Sequence, residues 1–207
     1  MNTPNVMGLF PEPIGKYTIW ADSWQARLDE FTGADRGDLH WYSDDEHILD
    51  SIPELRKIIS NCLKDFTQHV LAIADTPIIT QSWINKYGPG QRIHEHHHPN
   101  SLVSATWYWR VPPDADAEIQ FHKQGLNTHS TWAMKFDQDA SITSPFAVTT
   151  NSIRVQQGDL LVWPSYMIHS VPAWPYKDQR CSLSLDSIPK AWGSSLYRFS
   201  VFERPEV

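Results

Sequence analysis

The sequence predicts one mainly-β domain, a sandwich or barrel buttressed by helices at its N-terminal end. Three observations carry this. A single helical pattern lies early in the chain. From Pro77 onward, short β-branched and aromatic runs recur between Gly, Pro and Asp turns. The 207 residues suffice for one full core and are short for two domains, and no repeat or low-complexity segment interrupts them.

The first 40 residues are expected to be loop-rich, because Pro4, Pro11, Pro13 and Gly15 break any long element. Residues 44–74 form the helical region. Ser43 followed by Glu46 has the form of a capping box, and Ile48, Leu49, Ile52, Leu55, Ile58 and Ile59 recur at helical spacing. Leu63, Phe66 and Val70 continue the stripe, which is expected to cover one face of a sheet. Pro53 lacks a backbone donor and is expected to split the region into two helices. Strands follow at 78–87, closed by Gly88-Pro89-Gly90, and at 101–111, ended by Pro112-Pro113. Further short strands are expected at 117–122, 153–156, 160–163, 180–187 and 196–202, with a turn at Gly158-Asp159. Residues 123–150 are polar and irregular and read as a lid or insertion. The chain thus divides into a loop and helical buttress over 1–75 and a β core over 76–207.

Composition narrows the function classes. Charged residues at 20 % and hydrophobic residues at 41 % exclude a disordered chain. No run of 18 apolar residues suggests a membrane span, and the N-terminus lacks a secretory pattern. Cys62 and Cys181 form no C-x-x-C pair, which excludes a thiolate zinc site; two thiols without a signal peptide fit the cytoplasm. With 17 basic against 24 acidic residues and no basic cluster, no nucleic-acid partner is expected. A homodimer is the default expectation for assembly.

The densest chemical signal is His94-Glu95-His96-His97-His98. On a strand, period 2 puts His94, His96 and His98 on one face. Residues i and i+2 lie about 6.6–6.8 Å apart and can share a metal, whereas i and i+4 lie about 13 Å apart and cannot. Either pair includes His96. A third imidazole, His169, follows the apolar run ending at Trp163-Pro164. Downstream, Arg180 and Ser182 alternate onto one strand face, where a guanidinium beside a hydroxyl suits capture of a carboxylate.

These motifs resemble the Fe(II)- and 2-oxoglutarate-dependent oxygenase superfamily, and more narrowly its group in phage and marine bacteria. The matching segments are Leu9-Phe10-Pro11-Glu12-Pro13-Ile14, Ser82-Trp83-Ile84-Asn85, the H-x-H-P-N-S run from His96 to Ser101, Ser104-Ala105-Thr106-Trp107-Tyr108, Gly158-Asp159-Leu160-Leu161, Pro164-Ser165, His169 and Arg180-Cys181-Ser182. The resemblance implies a double-stranded β-helix (jelly roll) with N-terminal helices packed on one sheet. It implies Fe(II) as metal, with 2-oxoglutarate and dioxygen as cosubstrates. It selects His96 and His98 as the proximal ligands, with His94 the alternative, and His169 as the distal one. Arg180 and Ser182 would meet the far carboxylate of 2-oxoglutarate, with Tyr108, Asn85 and Tyr87 as further contacts.

One departure stands out. The superfamily uses H-x-D or H-x-E, and no histidine here has a carboxylate two residues later. The expected ligand set is three neutral imidazoles. Two other readings keep the jelly roll: a three-histidine cupin-type metalloenzyme without 2-oxoglutarate, which leaves Arg180 and Ser182 unexplained, and a non-catalytic binding module, which leaves His169 unexplained.

Overall fold

The computed structural model of the chain describes residues 11–20, 23–37, 39–123, 148–193 and 198–200. Most of the expected lid, the Leu9-Phe10 pair and parts of the 196–202 strand lie outside them. Three short strands come first: β1 (Gly15–Thr18), β2 (Gly33–Asp35) and β3 (Trp41–Ser43), with the short helix α1 (Gln25–Asp29) between the first two. Helix α2 (Pro53–Asp65) precedes the eight strands of the core. These are β4 (Ile78–Tyr87), β5 (Ile93–His96), β6 (Val103–Arg110), β7 (Glu118–His122), β8 (Thr150–Arg154), β9 (Asp159–Pro164), β10 (His169–Val171) and β11 (Arg180–Ile188). A hairpin of β12 (Ala191–Gly193) and β13 (Arg198–Ser200) follows.

The core strands alternate between two antiparallel sheets. The larger runs β1-β9-β6-β11-β4-β3-β2 and the smaller β5-β10-β7-β8. Consecutive strands that switch sheets in this way make a double-stranded β-helix, as the sequence resemblance implies. Among the described residues no helix is long and apolar enough to cross a membrane.

Three local expectations are corrected. Pro53 does not split a helix; it sits at the first position of α2, where its missing N–H would have no partner. A 3-10 turn (Ile48–Ser51) leads into α2 and a π turn (Phe66–Val70) leads out, so the helical region is three pieces. Ser43 makes no capping box: it ends β3, its hydroxyl donates to Asp45 O at 2.7 Å, and it accepts the Ile84 N–H at 3.0 Å. The first 40 residues, expected as loop, contribute β1 and β2 to the edges of the larger sheet, because edge pairing needs backbone more than an apolar pattern.

Period 2 decides what the larger sheet buries on each face. Outward, Trp107 and Trp109 of β6, Leu160 and Val162 of β9, and Leu183 and Leu185 of β11 join Leu55, Ile59 and Leu63 of α2 in one apolar core. The α2 stripe thus covers a sheet face, as its spacing predicts, but Ile58 and Val70, counted in that stripe, are exposed. The inward alternates of β11 are Arg180, Ser182, Ser184 and Asp186, all buried. A central strand that alternates apolar and polar while burying both sets is building a polar site inside the sandwich. Leu183 is fully buried between Ile84 and Trp107. Leu183→Ala is therefore expected to cost about 2–5 kcal/mol, read by urea unfolding; a loss below about 1 kcal/mol would mean that the site collapses onto the gap.

Candidate metal centre

Antiparallel pairing sets His96, the last residue of β5, directly opposite His169, the first of β10. His98 does not continue the strand. It lies in the turn after β5, held there by its N–H to Ser165 O at 3.1 Å. The turn closes at Asn100, whose φ of 62° is one that asparagine tolerates better than most residues. Thus His96 and His98 converge through a turn, and strand alternation is not what unites them. His94 is exposed, and among the described residues the group of three imidazoles able to hold one ion is His96, His98 and His169, with ligand atoms within 4.8 Å of one another.

The hydrogen bonds fix which nitrogens face inward. His96 Nδ1 lies 2.9 Å from His94 O, and His169 Nδ1 lies 3.0 Å from Met167 O. Carbonyl oxygens only accept, so both Nδ1 atoms carry the proton and both Nε2 atoms present a lone pair. His98 Nδ1 lies 3.0 Å from the Asp186 carboxylate, which orients that ring in the same sense. As a result, the Nε2 atoms of His98 and His169 approach to 3.4 Å. Two lone pairs so close repel unless a cation lies between them. Nitrogens bound to one ion at about 2.1 Å each lie at most about 4.2 Å apart. The close pair meets this limit, and the other pairs, all within 4.8 Å, reach it with at most about 0.6 Å of side-chain adjustment. The donor set fits a divalent transition metal.

Burial keeps two of these rings neutral, as ligation requires. It pushes His169 down to about 3, with His96 and His98 adding to the effect, and it lowers His96 as well. Trp163 packs edge-on to His169 at 5.0 Å, and Trp83 lies against His98 at 5.7 Å.

The three imidazoles open into one cavity. Arg180, Ser182, Tyr108, Asn85 and Tyr87 line the same cavity. The Arg180 side chain is 1 % exposed and lies over the rings of Tyr108 (4.8 Å) and Tyr87 (5.4 Å). Its Nη1 donates to Glu118 O at 2.8 Å, its Nε has no partner, and none of the described carboxylates pairs with it. Tyr108 OH and Asn85 Oδ1 are also buried without partners, while Asn85 Nδ2 donates to Ser184 Oγ at 3.0 Å. Burial raises both phenols above their ordinary range, so Tyr87 and Tyr108 remain donors.

Two residues of this region were not singled out from sequence. Asp186 backs His98, and the polar alternation along β11 was the signal that could have revealed it. His40 is buried and stacks on Tyr87 at 5.3 Å, with the Asn85 amide beside its ring; a lone histidine before a three-residue strand carries no signal. Burial lowers His40 to about 4, with Arg36 and His96 adding to this and Asn85 and Asp35 opposing it. Below pH 6.5 the unfolded chain therefore takes up a proton that the folded chain refuses, and stability falls with pH down to about 4. One such group contributes at most about 1.4 kcal/mol per pH unit. His40→Phe, which keeps the stacking, is expected to flatten the acid limb of the metal-free protein's stability profile; an unchanged limb would place the proton uptake elsewhere.

Residues 81–186, just over half of the chain, match the family described as "Putative 2OG-Fe(II) oxygenase". No curated protein matches the sequence. Solved structures share the fold at low identity. A 2OG-Fe(II) oxygenase family oxidoreductase from Burkholderia pseudomallei superposes with a TM-score of 0.60 at 13 % identity, covering 84 % of this chain and 83 % of that one. HygX from Streptomyces hygroscopicus, with nickel, 2-oxoglutarate and hygromycin B bound, gives 0.56 at 13 % identity over 84 % and 83 %. A Pseudomonas putida prolyl-4-hydroxylase gives 0.51 at 14 % identity over 84 % and 92 %.

Proposed function

The chain belongs to the 2OG-Fe(II) oxygenase family, whose members depend on Fe(II) and 2-oxoglutarate, and from that premise we propose a role for each residue of the site. His96, His98 and His169 hold the iron through Nε2. Arg180 binds the far carboxylate of 2-oxoglutarate, with Ser182, Tyr108 and Tyr87 as hydroxyl donors, and Asn85 lies beside the cosubstrate. Bound Fe(II) supplies activation of dioxygen coupled to decarboxylation of 2-oxoglutarate, with oxidation of a second substrate. The residues around it orient three imidazoles, keep His96 and His169 neutral, turn one end of the cosubstrate toward them, and exclude water behind Trp163 and Trp83. The unpaired cysteines Cys62 and Cys181 support action in a reducing cytoplasm.

The observation that carries this reading is the buried Arg180 guanidinium with no carboxylate partner, in the same cavity as converging imidazole lone pairs. Arginine cannot shed its charge, and an unpaired buried charge is costly, so the cavity is built to receive an anion. A dicarboxylate that also reaches the imidazole end satisfies both features. The test is anaerobic titration of the Fe(II)-loaded protein with 2-oxoglutarate, following the weak visible metal-to-ligand charge-transfer band. A saturable band is expected. Iron bound with no band would leave a three-histidine metal site that does not take 2-oxoglutarate.

A further inference from the structure

The carboxylate absent from the ligand motif has a counterpart behind His98. Asp186, on β11, is 8 % exposed. Its Oδ2 lies 3.0 Å from His98 Nδ1, and its Oδ1 accepts the Ser104 hydroxyl at 2.7 Å. Ser104 Oγ lies 2.8 Å from Ser165 Oγ, which lies 2.8 Å from the half-buried Ser101 Oγ, so a row of hydroxyls holds the carboxylate in place. Among the described residues, His98 is the one basic group within ion-pair reach of Asp186. That imidazole must be neutral to bind a metal, which leaves Asp186 a buried anion without a cation of its own.

We propose that Asp186 is the positioning residue that returns to the metal, through the His98 ring, the negative charge that a three-histidine ligand set lacks. The inference rests on the ligand assignment above. Charge balance supports it. Among the described residues, Arg180 is the one formally charged side chain lining the cavity, and Asp186 stands behind the cavity wall at the Nδ1 side of His98. A divalent metal and a doubly charged cosubstrate cancel each other, and Asp186 cancels Arg180. Without Asp186 the filled, water-poor site would hold a net positive charge, which is costly in a low dielectric. A carboxylate in the ligand set would give the same balance; here it acts through the Nδ1–H bond, which fixes the tautomer and makes Nε2 a stronger donor. Hydrogen bonding alone does not call for an acid at this position, because asparagine can accept from His98 and bond Ser104. The charge is what asparagine cannot supply, so Asp186→Asn isolates it.

The experiment measures Fe(II) affinity by anaerobic chelator competition, together with the Fe(III)/Fe(II) midpoint potential, for the full chain and for Asp186→Asn and Asp186→Glu. Asp186→Asn is expected to bind iron about tenfold to a hundredfold more weakly, at a raised potential, with the melting temperature of the metal-free protein unchanged. Asp186→Glu is expected to recover part of both. Wild-type affinity and potential in Asp186→Asn would overturn this proposal alone; a wild-type chain that binds no iron would overturn the ligand assignment with it. A second readout does not depend on how the variants fold. In the Zn(II)-loaded wild type, the Nδ1 proton of His98 should resonate downfield of those of His96 and His169, which donate to neutral carbonyls. A His98 proton no further downfield than the other two overturns the proposal.

Discussion

Arg180→Met is expected to leave Fe(II) bound and to weaken 2-oxoglutarate by about 1.5–3 kcal/mol, roughly tenfold to a hundred-and-fiftyfold. The range is that of a hydrogen bond to a charged group, and its upper end is favoured because the guanidinium is 1 % exposed and solvent cannot take its place. Methionine keeps much of the arginine stem that packs against Tyr108 and Tyr87, so the variant tests charge more than volume. A second consequence separates ligand binding from structure. In the metal-free protein Arg180 carries an unpaired buried charge, and replacing such a charge with an apolar side chain of similar size is often neutral or stabilising. Chemical unfolding of the metal-free variant should thus show no loss of stability while half-saturation of the charge-transfer band moves to roughly tenfold to a hundred-and-fiftyfold more 2-oxoglutarate. If the band persists with unchanged half-saturation, the guanidinium does not meet the cosubstrate; if the variant unfolds, Arg180 is a strut rather than a ligand.

How legible this was in the sequence depends on the range of each interaction. The β-rich second half and the α2 stripe are written in local periodicity, because each strand must alternate and each surface helix must present one apolar face. The inward-facing His169 and Arg180 could be named because few residue types serve as neutral nitrogen ligands or bidentate carboxylate partners. What could not be read were features created by pairing between distant segments. β1 holds its place by backbone bonds to a strand far along the chain, pairing with β9 across more than 140 residues, and the β2–β3 hairpin joins the sheet only because β3 pairs with β4. The turn that brings His98 round to His169 is set by its bond to Ser165, whereas strand alternation leaves His94 and His98 equal as partners of His96. Asp186 was within reach: the row Arg180, Ser182, Ser184, Asp186 alternates with Cys181, Leu183, Leu185, and a buried strand with one polar face points that face at a site. Pro53 was misread because its local effect depends on where the helix begins, which the tertiary fold decides.

His169→Ala is expected to abolish stoichiometric Fe(II) binding, while His94→Ala leaves it intact. The contrast follows from position. His94 is exposed and outside the group of three, whereas His169 lies at the junction of β5, β10 and β7, its ring 4.2 Å from that of His96 and 5.2 Å from that of His98. Its loss leaves two imidazoles and a buried gap beside Trp163. Removing a residue that only supports a ligand costs about tenfold to a hundredfold in metal affinity, so removing a ligand should exceed that. Iron content after anaerobic loading and desalting is the measurement, with metal-free melting as the control for folding. Full occupancy in His169→Ala would take His169 out of the ligand set, and with it the account of why its Nε2 faces that of His98 across 3.4 Å. Near-zero occupancy with the fold retained would leave Asp186 acting on two ligands only. In that background, Asp186→Asn should have little left to change, since the charge behind His98 matters only while a metal stands in front of it.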